Sequence, residues 1–425
     1  MLHQSIDFDW QIGEEWTWES SVPIAAPEER AFTETKLAMI LLRGIILSVV
    51  ALCSAGSLPL SKDQMARLYA EQGVRFALTQ ERLLRDAGPH TDYGALVDST
   101  IPPQWRSSWR TAWATGLRQE EALQVTLLGV EALGNLAVAN VLIENPAPEW
   151  GDPRHYREKR YYRTRGQQWL RTVPPTTFWG EVQRLETAHF RFEYYEPDAA
   201  VIRTVAPQLE QLYIALYQRL GSTPPTRKEK EIYAIVPEMI NNWLSYNNRV
   251  EITSPALAPI PAPLTEEGYL LQKIGSRLTY LAVQETMANT RTGTEYRWNL
   301  MLWGVRSWLL ADLLDQPSPW STDTEAALRA RLQIDPALAL DLLNRWSSSE
   351  PPEETEIMAR YLLAESVIAY AMETHGTERL LALLQDFSVY SRWKDLVPRA
   401  FGVPVEEFEA GWRIYVYERY GENEK

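Results

Sequence analysis

Apolar and polar residues follow two different periods in the first half of the chain. Between positions 62 and 86 the apolar residues recur at helical spacing, which predicts one amphipathic helix. Further helices are predicted over 93–97 and 104–117. Four later stretches have the period of two that is typical of strands, and these are 123–130, 136–143, 156–164 and 167–173. Helices followed by a run of antiparallel strands predict an α+β fold in which a curved sheet wraps around the helices.

The second half of the chain begins with a strand and continues mainly as helices. Phe190, Phe192 and Tyr194 alternate on one face of a strand that ends at Pro197. The elements predicted after it are a helix over 199–220, strands over 230–236 and 247–252, and a pair of helices over 270–287 and 296–314. Helices are also predicted over 324–331 and 336–346, and an apolar stripe after 361 predicts tail helices.

The longest apolar run in the chain covers 37–60 and is broken only by Arg43. A helix needs about 20 apolar residues to cross a bilayer. We therefore predict a single-pass membrane anchor over 37–60, so that the membrane is a partner and the bulk of the chain lies outside the cytoplasm. Two alternatives stay open. The run is a signal peptide that starts at Met39 and leads to secretion, or it is a buried core helix.

Composition limits the classes of function. The chain has 425 residues and a formal net charge of -14, which argues against a nucleic-acid partner because phosphate binding needs clustered lysine and arginine. The single Cys53 excludes an internal disulfide and any cysteine-based zinc site. Residues 1–36 are acidic and rich in tryptophan, and we interpret them as a mostly disordered tail, with an interaction motif as the alternative.

A proline-rich break over 174–180 divides the remainder into a domain at 62–180 and a domain at 185–420. The order of elements in the first domain resembles the nuclear-transport-factor-2-like (SnoaL-like) cone, and the stretch QQWLRT at 167–172 is similar to the last strand of many such domains. Because these cones often hold a pocket, the resemblance makes four aromatic residues candidates to line one. They are Trp105, Trp109, Tyr161 and Trp169. The alternative is that these rings fill the core of the cone.

Several short motifs occur in the same order in the second domain as in peptidase MA-like (gluzincin) domains. HFRFEY at 189–194 matches the opening strand, KEIYAIVP at 230–237 matches the second strand, and FGVPVEEFEAGW at 401–412 is similar to the ending. The resemblance covers 185–420. It implies a mostly helical zincin-like domain with a small N-terminal sheet, in which the helix pair over 270–314 carries a zinc site.

The residues that zinc peptidases need are absent from the matching positions. A zinc helix requires two histidines at i and i+4, with a glutamate after the first as general base. Ser276 stands at the position of the first histidine, Arg277 at that of the glutamate and Tyr280 at that of the second histidine, while Arg306 stands at that of the third ligand. Arginine repels a divalent cation. The resemblance thus predicts no metal, no cofactor and no catalytic residues.

The function expected from this loss is that of a pseudopeptidase, which is not an enzyme and acts in binding or assembly. Ser276, Arg277, Tyr280 and Arg306 would line the old cleft, where the two arginines suit a carboxylate or a peptide C-terminus of an unknown protein or peptide partner. The alternative is that both arginines are ordinary surface charges. The other functions left open are an active hydrolase with a rebuilt non-zinc site and a small-ligand binder that uses the cone pocket.

Overall fold

The computed structural model describes most of the chain from residue 61 to residue 421. The described ranges are 61–86, 96–101, 123–144, 155–166, 168–225, 229–238, 244–246, 248–288, 295–314 and 354–421, with single positions between them. The predicted tail and the predicted anchor at 37–60 lie outside these ranges. No helix within them has the length and hydropathy required to cross a membrane.

The described part is a mixed α+β structure with two five-stranded sheets, so the predicted fold class is confirmed at that level. The first sheet follows helix α1 (Lys62–Asp86). Its consecutive strands are β1 (Gln124–Leu133), β2 (Leu136–Glu144), β3 (His155–Arg165) and β4 (Gln168–Thr172). They pair antiparallel in a meander, as the alternation of the sequence predicts.

Strand β3 carries two different cores on its two faces. Tyr162 belongs to an apolar cluster that includes Ala70, Val74 and Ala77 of α1. The neighbouring Tyr161 belongs to a separate cluster with Trp179 and Leu257, on the opposite side of the sheet. The first sheet is therefore covered on both faces.

Helix α1 has the predicted bounds, but it packs through a different face from the one that its larger apolar residues define. The helix buries the small residues Ala70, Val74 and Ala77. A Cβ atom on Gly73 would lie 2.0 Å from the Trp169 ring, so a glycine is needed where α1 crosses β4. The larger apolar residues Met65, Leu68, Tyr69 and Leu83 stay exposed.

The second sheet has the order β5-β6-β7-β9-β8 and mixes parallel with antiparallel pairs. Its strands are β5 (Gln183–Glu186), β6 (Phe190–Tyr194), β7 (Glu231–Val236), β8 (Leu244–Tyr246) and β9 (Arg249–Thr253). Helix α3 (Ala199–Arg219) connects β6 to β7 and returns the chain to the end of the sheet at which β6 begins. Strands β6 and β7 therefore pair in parallel. Helix α2 (Thr176–Trp179) precedes this sheet, and its Trp179 is buried.

The helices after the sheet surround one large apolar cluster together with α3 and the second sheet. They are α4 (Glu266–Ala288), α5 (Asn299–Leu314), α6 (Glu354–His375), α7 (Leu380–Val389), α8 (Trp393–Phe401) and α9 (Val405–Tyr420). Short 3-10 turns precede α3, α5 and α7. The helix predicted over 296–314 therefore begins as a 3-10 turn and becomes α-helical at Asn299.

Several short elements differ from the sequence expectation. Strands β5 and β8, the two-residue strand β10 (Ile260–Pro261) and helix α2 were not predicted. A helix was predicted over 93–97. That prediction is wrong at Val97, which forms a parallel β-bridge with Arg171. The helix predicted over 104–117 lies outside the described residues. Strand β10 joins the first sheet by pairing with β3, a strand about a hundred residues earlier in the chain.

Contacts across the predicted domain boundary tie the two predicted domains together. Besides the β10–β3 pairing, the Tyr161 hydroxyl donates to the Ala256 carbonyl at 2.8 Å. Lys159 forms an ion pair of 2.5 Å with Glu266 at the start of α4. Residues Met65–Lys425 accordingly form one compact unit.

Candidate functional site

Helix α4 presents one polar and aromatic face and one apolar face, and the candidate site lies on the polar face. Ile274, Leu278 and Ala282 are buried in the main core at helical spacing. The opposite side of the helix carries Lys273, Ser276, Arg277 and Tyr280, and Tyr269 lies next to Lys273 although its side chain is also part of the main core. Helices α5 and α6, which bring further side chains to this face, lie close together because Gly304 leaves room for the α6 backbone at Ala364.

Tyr280 is the centre of the site. The Arg277 guanidinium carbon lies 5.7 Å from the centroid of the Tyr280 ring, and the Arg306 guanidinium carbon lies 5.2 Å from it. Both distances are within the range of a cation–π contact. The structure thus brings together Arg277, Tyr280 and Arg306, three of the four residues that the sequence analysis predicted for this cleft.

Arg277 is partly neutralised by a buried carboxylate. Its Nε lies 3.7 Å from Oε1 of Glu231, at the beginning of β7. The Tyr233 hydroxyl donates to the other Glu231 oxygen at 3.0 Å. Because Glu231 is itself buried, this ion pair fixes Arg277 at the sheet end of the site.

Arg306 and Lys273 are cations in a poorly hydrated environment. Burial lowers the pKa of Arg306 and also that of Lys273. The Arg306 Nε donates to the Leu302 carbonyl at 3.1 Å, and the Lys273 ammonium lies 5.9 Å from the Tyr269 ring. Within the described ranges, neither cation has a carboxylate at ion-pairing distance. The site therefore contains three cationic side chains and one carboxylate.

Ser276 has a local role in this arrangement. Its hydroxyl donates to the Gln272 carbonyl at 2.7 Å within α4, which is a common way for a helical serine to satisfy its hydroxyl. It lies one turn before Tyr280, on the same face. Ser276 thus borders the cluster, while the cationic and aromatic side chains form it.

Sequence reasoning missed three members of the site. Lys273 precedes Arg277 by one helical turn, so helical spacing could have identified it. Tyr361 on α6 is held near Arg306, and its ring lies 4.6 Å from that of Trp303. Burial raises the pKa of Tyr361, with Arg306 acting in the opposite direction. No local pattern indicates Tyr361 or Glu231, because both reach the site only through the tertiary fold.

The four residues predicted to line a cone pocket do not share one surface. Tyr161 and Trp169 lie on opposite faces of the first sheet, since Trp169 packs in the same cluster as Tyr162. Trp105 and Trp109 lie outside the described residues. Tyr161 and Trp169 therefore do not line one pocket.

The α1 side of the first sheet contains a buried network of ion pairs. Arg160 donates to Glu81 at 2.9 Å, Arg171 donates to Glu158 at 2.6 Å, and the Tyr162 hydroxyl donates to Glu81 at 2.9 Å. Burial opposes ionisation of Glu158, but Arg160 and Arg171 outweigh it and hold its pKa below the ordinary value. The two arginines and two glutamates of this network carry no net charge between them.

A buried acid lies where α3 begins. Asp198 is 1% exposed, and burial raises its pKa to about 7, with Glu266 acting in the same direction. The Ser254 hydroxyl donates to Asp198 Oδ1 at 2.8 Å, while Oδ2 is buried without a hydrogen-bond partner in the described structure. Asp198 therefore takes up a proton near neutral pH.

His189, the residue before β6, is engaged in a structural contact. Its backbone N–H donates to Glu210 Oε1 at 2.7 Å, and its ring Nδ1 lies 2.6 Å from Glu210 Oε2. Burial opposes ionisation of Glu210, and the hydrogen bonds from His189 outweigh it, so the Glu210 pKa is lowered. The pair ties α3 to the start of β6.

Over the described ranges, no group of three or more histidine, cysteine, aspartate or glutamate side chains is placed to hold a metal ion. Comparison of the chain with protein families, with curated proteins and with solved structures found no match. The chemistry of the site must therefore be inferred from its own residues.

Proposed function

We propose that this protein is a non-catalytic binding protein that captures a carboxylate of a protein or peptide partner between α4, α5 and α6. The observation that carries the proposal is the pair of cations Arg306 and Lys273, which have depressed pKa values and no carboxylate partner within the described ranges. Desolvating a cation costs free energy that an incoming anion would recover. The overall charge of -14 makes this local excess of positive charge distinctive.

Arginine favours a carboxylate as the ligand. Its planar guanidinium can donate two parallel hydrogen bonds to the two oxygens of one carboxylate. Arg277 already pairs with the Glu231 carboxylate, so we assign the main contact with the incoming carboxylate to Arg306. Lys273 supplies a second positive charge. Tyr280 positions Arg306 through the cation–π contact.

The same residues support the absence of catalysis. Ser276, Arg277, Tyr280 and Arg306 provide no metal ligand set and no general base at the positions where a peptidase MA-like domain would carry them. On this proposal the protein is a pseudopeptidase whose helix pair was kept as a scaffold for binding. A peptidase MA-like and cone-like origin for the two halves is part of the same proposal.

Fluorescence polarisation with a labelled mixture of random pentapeptides tests the binding site. We expect the mixture with free C-terminal carboxylates to bind, and the same mixture with C-terminal amides to bind at least tenfold more weakly. Arg306→Gln should weaken binding of the free-carboxylate mixture by about tenfold to a hundredfold, since a hydrogen bond to a charged group contributes about 1.5–3 kcal/mol.

Arg203→Gln is the matched control, because Arg203 is an exposed arginine on the neighbouring helix α3. Equal binding of acid and amide peptides, or equal loss in the two variants, would exclude the proposed site. Metal analysis of the purified protein tests the pseudopeptidase assignment separately, since one tightly bound zinc per chain would contradict it.

A further inference from the structure

Helix α1 carries an apolar stripe on the side opposite its buried face, and Tyr69 at the edge of the stripe also lies 5.8 Å from the Trp169 ring of the first sheet. Met65, Leu68, Tyr69 and Leu83 are 46%, 43%, 51% and 51% exposed, respectively. With Phe76, which is partly buried, they fall on one face at helical spacing. The residues that α1 packs against the sheet lie on the opposite face, so the helix is apolar on both sides.

The stripe runs nearly the full length of the helix. From Met65 to Leu83 it covers ~27 Å at the helical rise of 1.5 Å per residue. An isolated exposed leucine needs no explanation, but several large apolar residues on one face of a surface helix, here interrupted by Gln72 and Gln80, indicate an interaction surface. The charges beside the row are partly satisfied within the helix, because Arg75 pairs with Glu71 at 2.7 Å.

The sequence just before α1 indicates what covers the row. The apolar run at 37–60, predicted as a membrane anchor, ends immediately before the helix begins at Lys62. A membrane anchor over 37–60 would bring Lys62, two residues later in the chain, to the bilayer surface. Leucine and methionine insert their side chains at the acyl boundary, and tyrosine is enriched at the membrane interface.

We propose that α1 lies along the bilayer surface with Met65, Leu68, Tyr69, Phe76 and Leu83 inserted below the headgroups. This inference rests on the predicted anchor at 37–60 and is independent of the carboxylate site. Insertion is driven by the apolar row, and the Glu71–Arg75 pair leaves little excess charge on the helix. Zwitterionic phosphatidylcholine is therefore a sufficient surface.

The experiment uses the full-length chain in phosphatidylcholine nanodiscs. Because Cys53 is the only cysteine, a Cys53→Ser background allows one reporter site at a time. Leu68→Cys and Leu83→Cys variants are labelled with an environment-sensitive fluorophore, and quenching by lipids that carry a spin label in the acyl chain is measured. The control is Ile414→Cys on α9, because Ile414 is 60% exposed and lies outside the row.

We expect quenching at least twofold stronger at 68 and at 83 than at 414, together with a blue shift of the emission. Quenching at 68 but not at 83 would overturn the proposal, since the helix would then leave the surface. Contact between two copies would give label-to-label quenching that rises with protein loading and no lipid quenching, which also overturns it. Failure of the chain to enter nanodiscs would remove the anchor and the inference together, while peptide binding would be unaffected.

Discussion

A single carboxyl group makes the free energy of unfolding depend on pH in a way that the net charge of the protein does not indicate. The folded chain raises the pKa of Asp198 to about 7, whereas an unfolded aspartate has a pKa of about 3.9. The folded state therefore binds a proton that the unfolded state releases between these values. This contribution to stability is complete below about pH 4, is lost as the pH rises to about 7, and does not change further above it.

Asp198→Asn should remove this dependence, because an amide resembles the protonated acid in shape and in its donor. We expect the free energy of unfolding of the variant, relative to that of the parent, to increase from pH 4.5 to pH 8 by up to about 3 kcal/mol. Urea denaturation at several pH values measures this difference. Asp395→Asn, at a partly exposed position on α8 where the carboxylate pairs with Arg392, is the control. A difference that stays constant with pH would contradict the assignment of the buried acid.

At the scale of elements, two glycines in neighbouring helices predict opposite effects of the same substitution. A Cβ atom at Gly304 of α5 would lie 2.7 Å from the Ala364 carbonyl oxygen, which is backbone and cannot rotate away. At Gly268 of α4 the closest atom would be a Leu264 methyl group at 3.4 Å, which is an ordinary contact. The close approach of α5 and α6 therefore depends on Gly304.

Gly304→Ala should lower the free energy of unfolding by about 1–3 kcal/mol, because α5 must move away from α6. Gly268→Ala should raise it by up to about 1 kcal/mol through helix propensity. Thermal or urea denaturation distinguishes the two. Gly304→Ala should also weaken binding of the free-carboxylate peptides, since Arg306 and Tyr361 lie on the displaced helices. Equal effects of both substitutions would show that the helices have room at Gly304.

The elements show how far the sequence pattern reaches. Strands β1 to β4 are predicted closely because alternation is a local property that a short stretch of sequence contains. The buried face of α1 could not be predicted by size, because the larger residues indicate the wrong face. What selects Ala70, Val74 and Ala77 is the need for a close approach at Trp169, a residue far away in the chain. Strand β10 is too short to have any period.

The candidate site shows the same limit. Helical spacing places Ser276, Arg277 and Tyr280 on one face of α4, and the family resemblance adds Arg306. Glu231 and Tyr361 come from other elements, and their approach depends on sheet and helix packing that no local pattern encodes. The sequence alone therefore predicts the positive charge of the site but misses the carboxylate that balances part of it.

At the scale of the whole molecule, the loop around Leu257 joins the first sheet to the second half of the chain. Leu257 packs with Tyr161 and Trp179, and the Ala256 carbonyl accepts the Tyr161 hydroxyl. The proline-rich break at 174–180 predicts a domain boundary. The contacts favour a single cooperative unit.

Leu257→Ala should therefore lower the stability of both halves at once, by about 2–4 kcal/mol. We expect one unfolding transition in calorimetry that moves to lower temperature as a whole. The exposed Ile414→Ala is the control and should leave it nearly unchanged. Two transitions, of which only one moves, would instead support independent domains on either side of 174–180.

Strand β3 also constrains how the sequence can change in length. Alternate residues of this strand serve two different cores, so an inserted or deleted residue within it would turn Arg160 and Tyr162 toward the apolar cluster of Leu257. The turn at Gly134 joins β1 to β2 and the turn at Gly166 joins β3 to β4, and a Cβ atom at either glycine would meet no atom within 4 Å. Evolutionary gains and losses of residues in this region should accumulate at those turns, while β3 keeps its length as its sequence diverges.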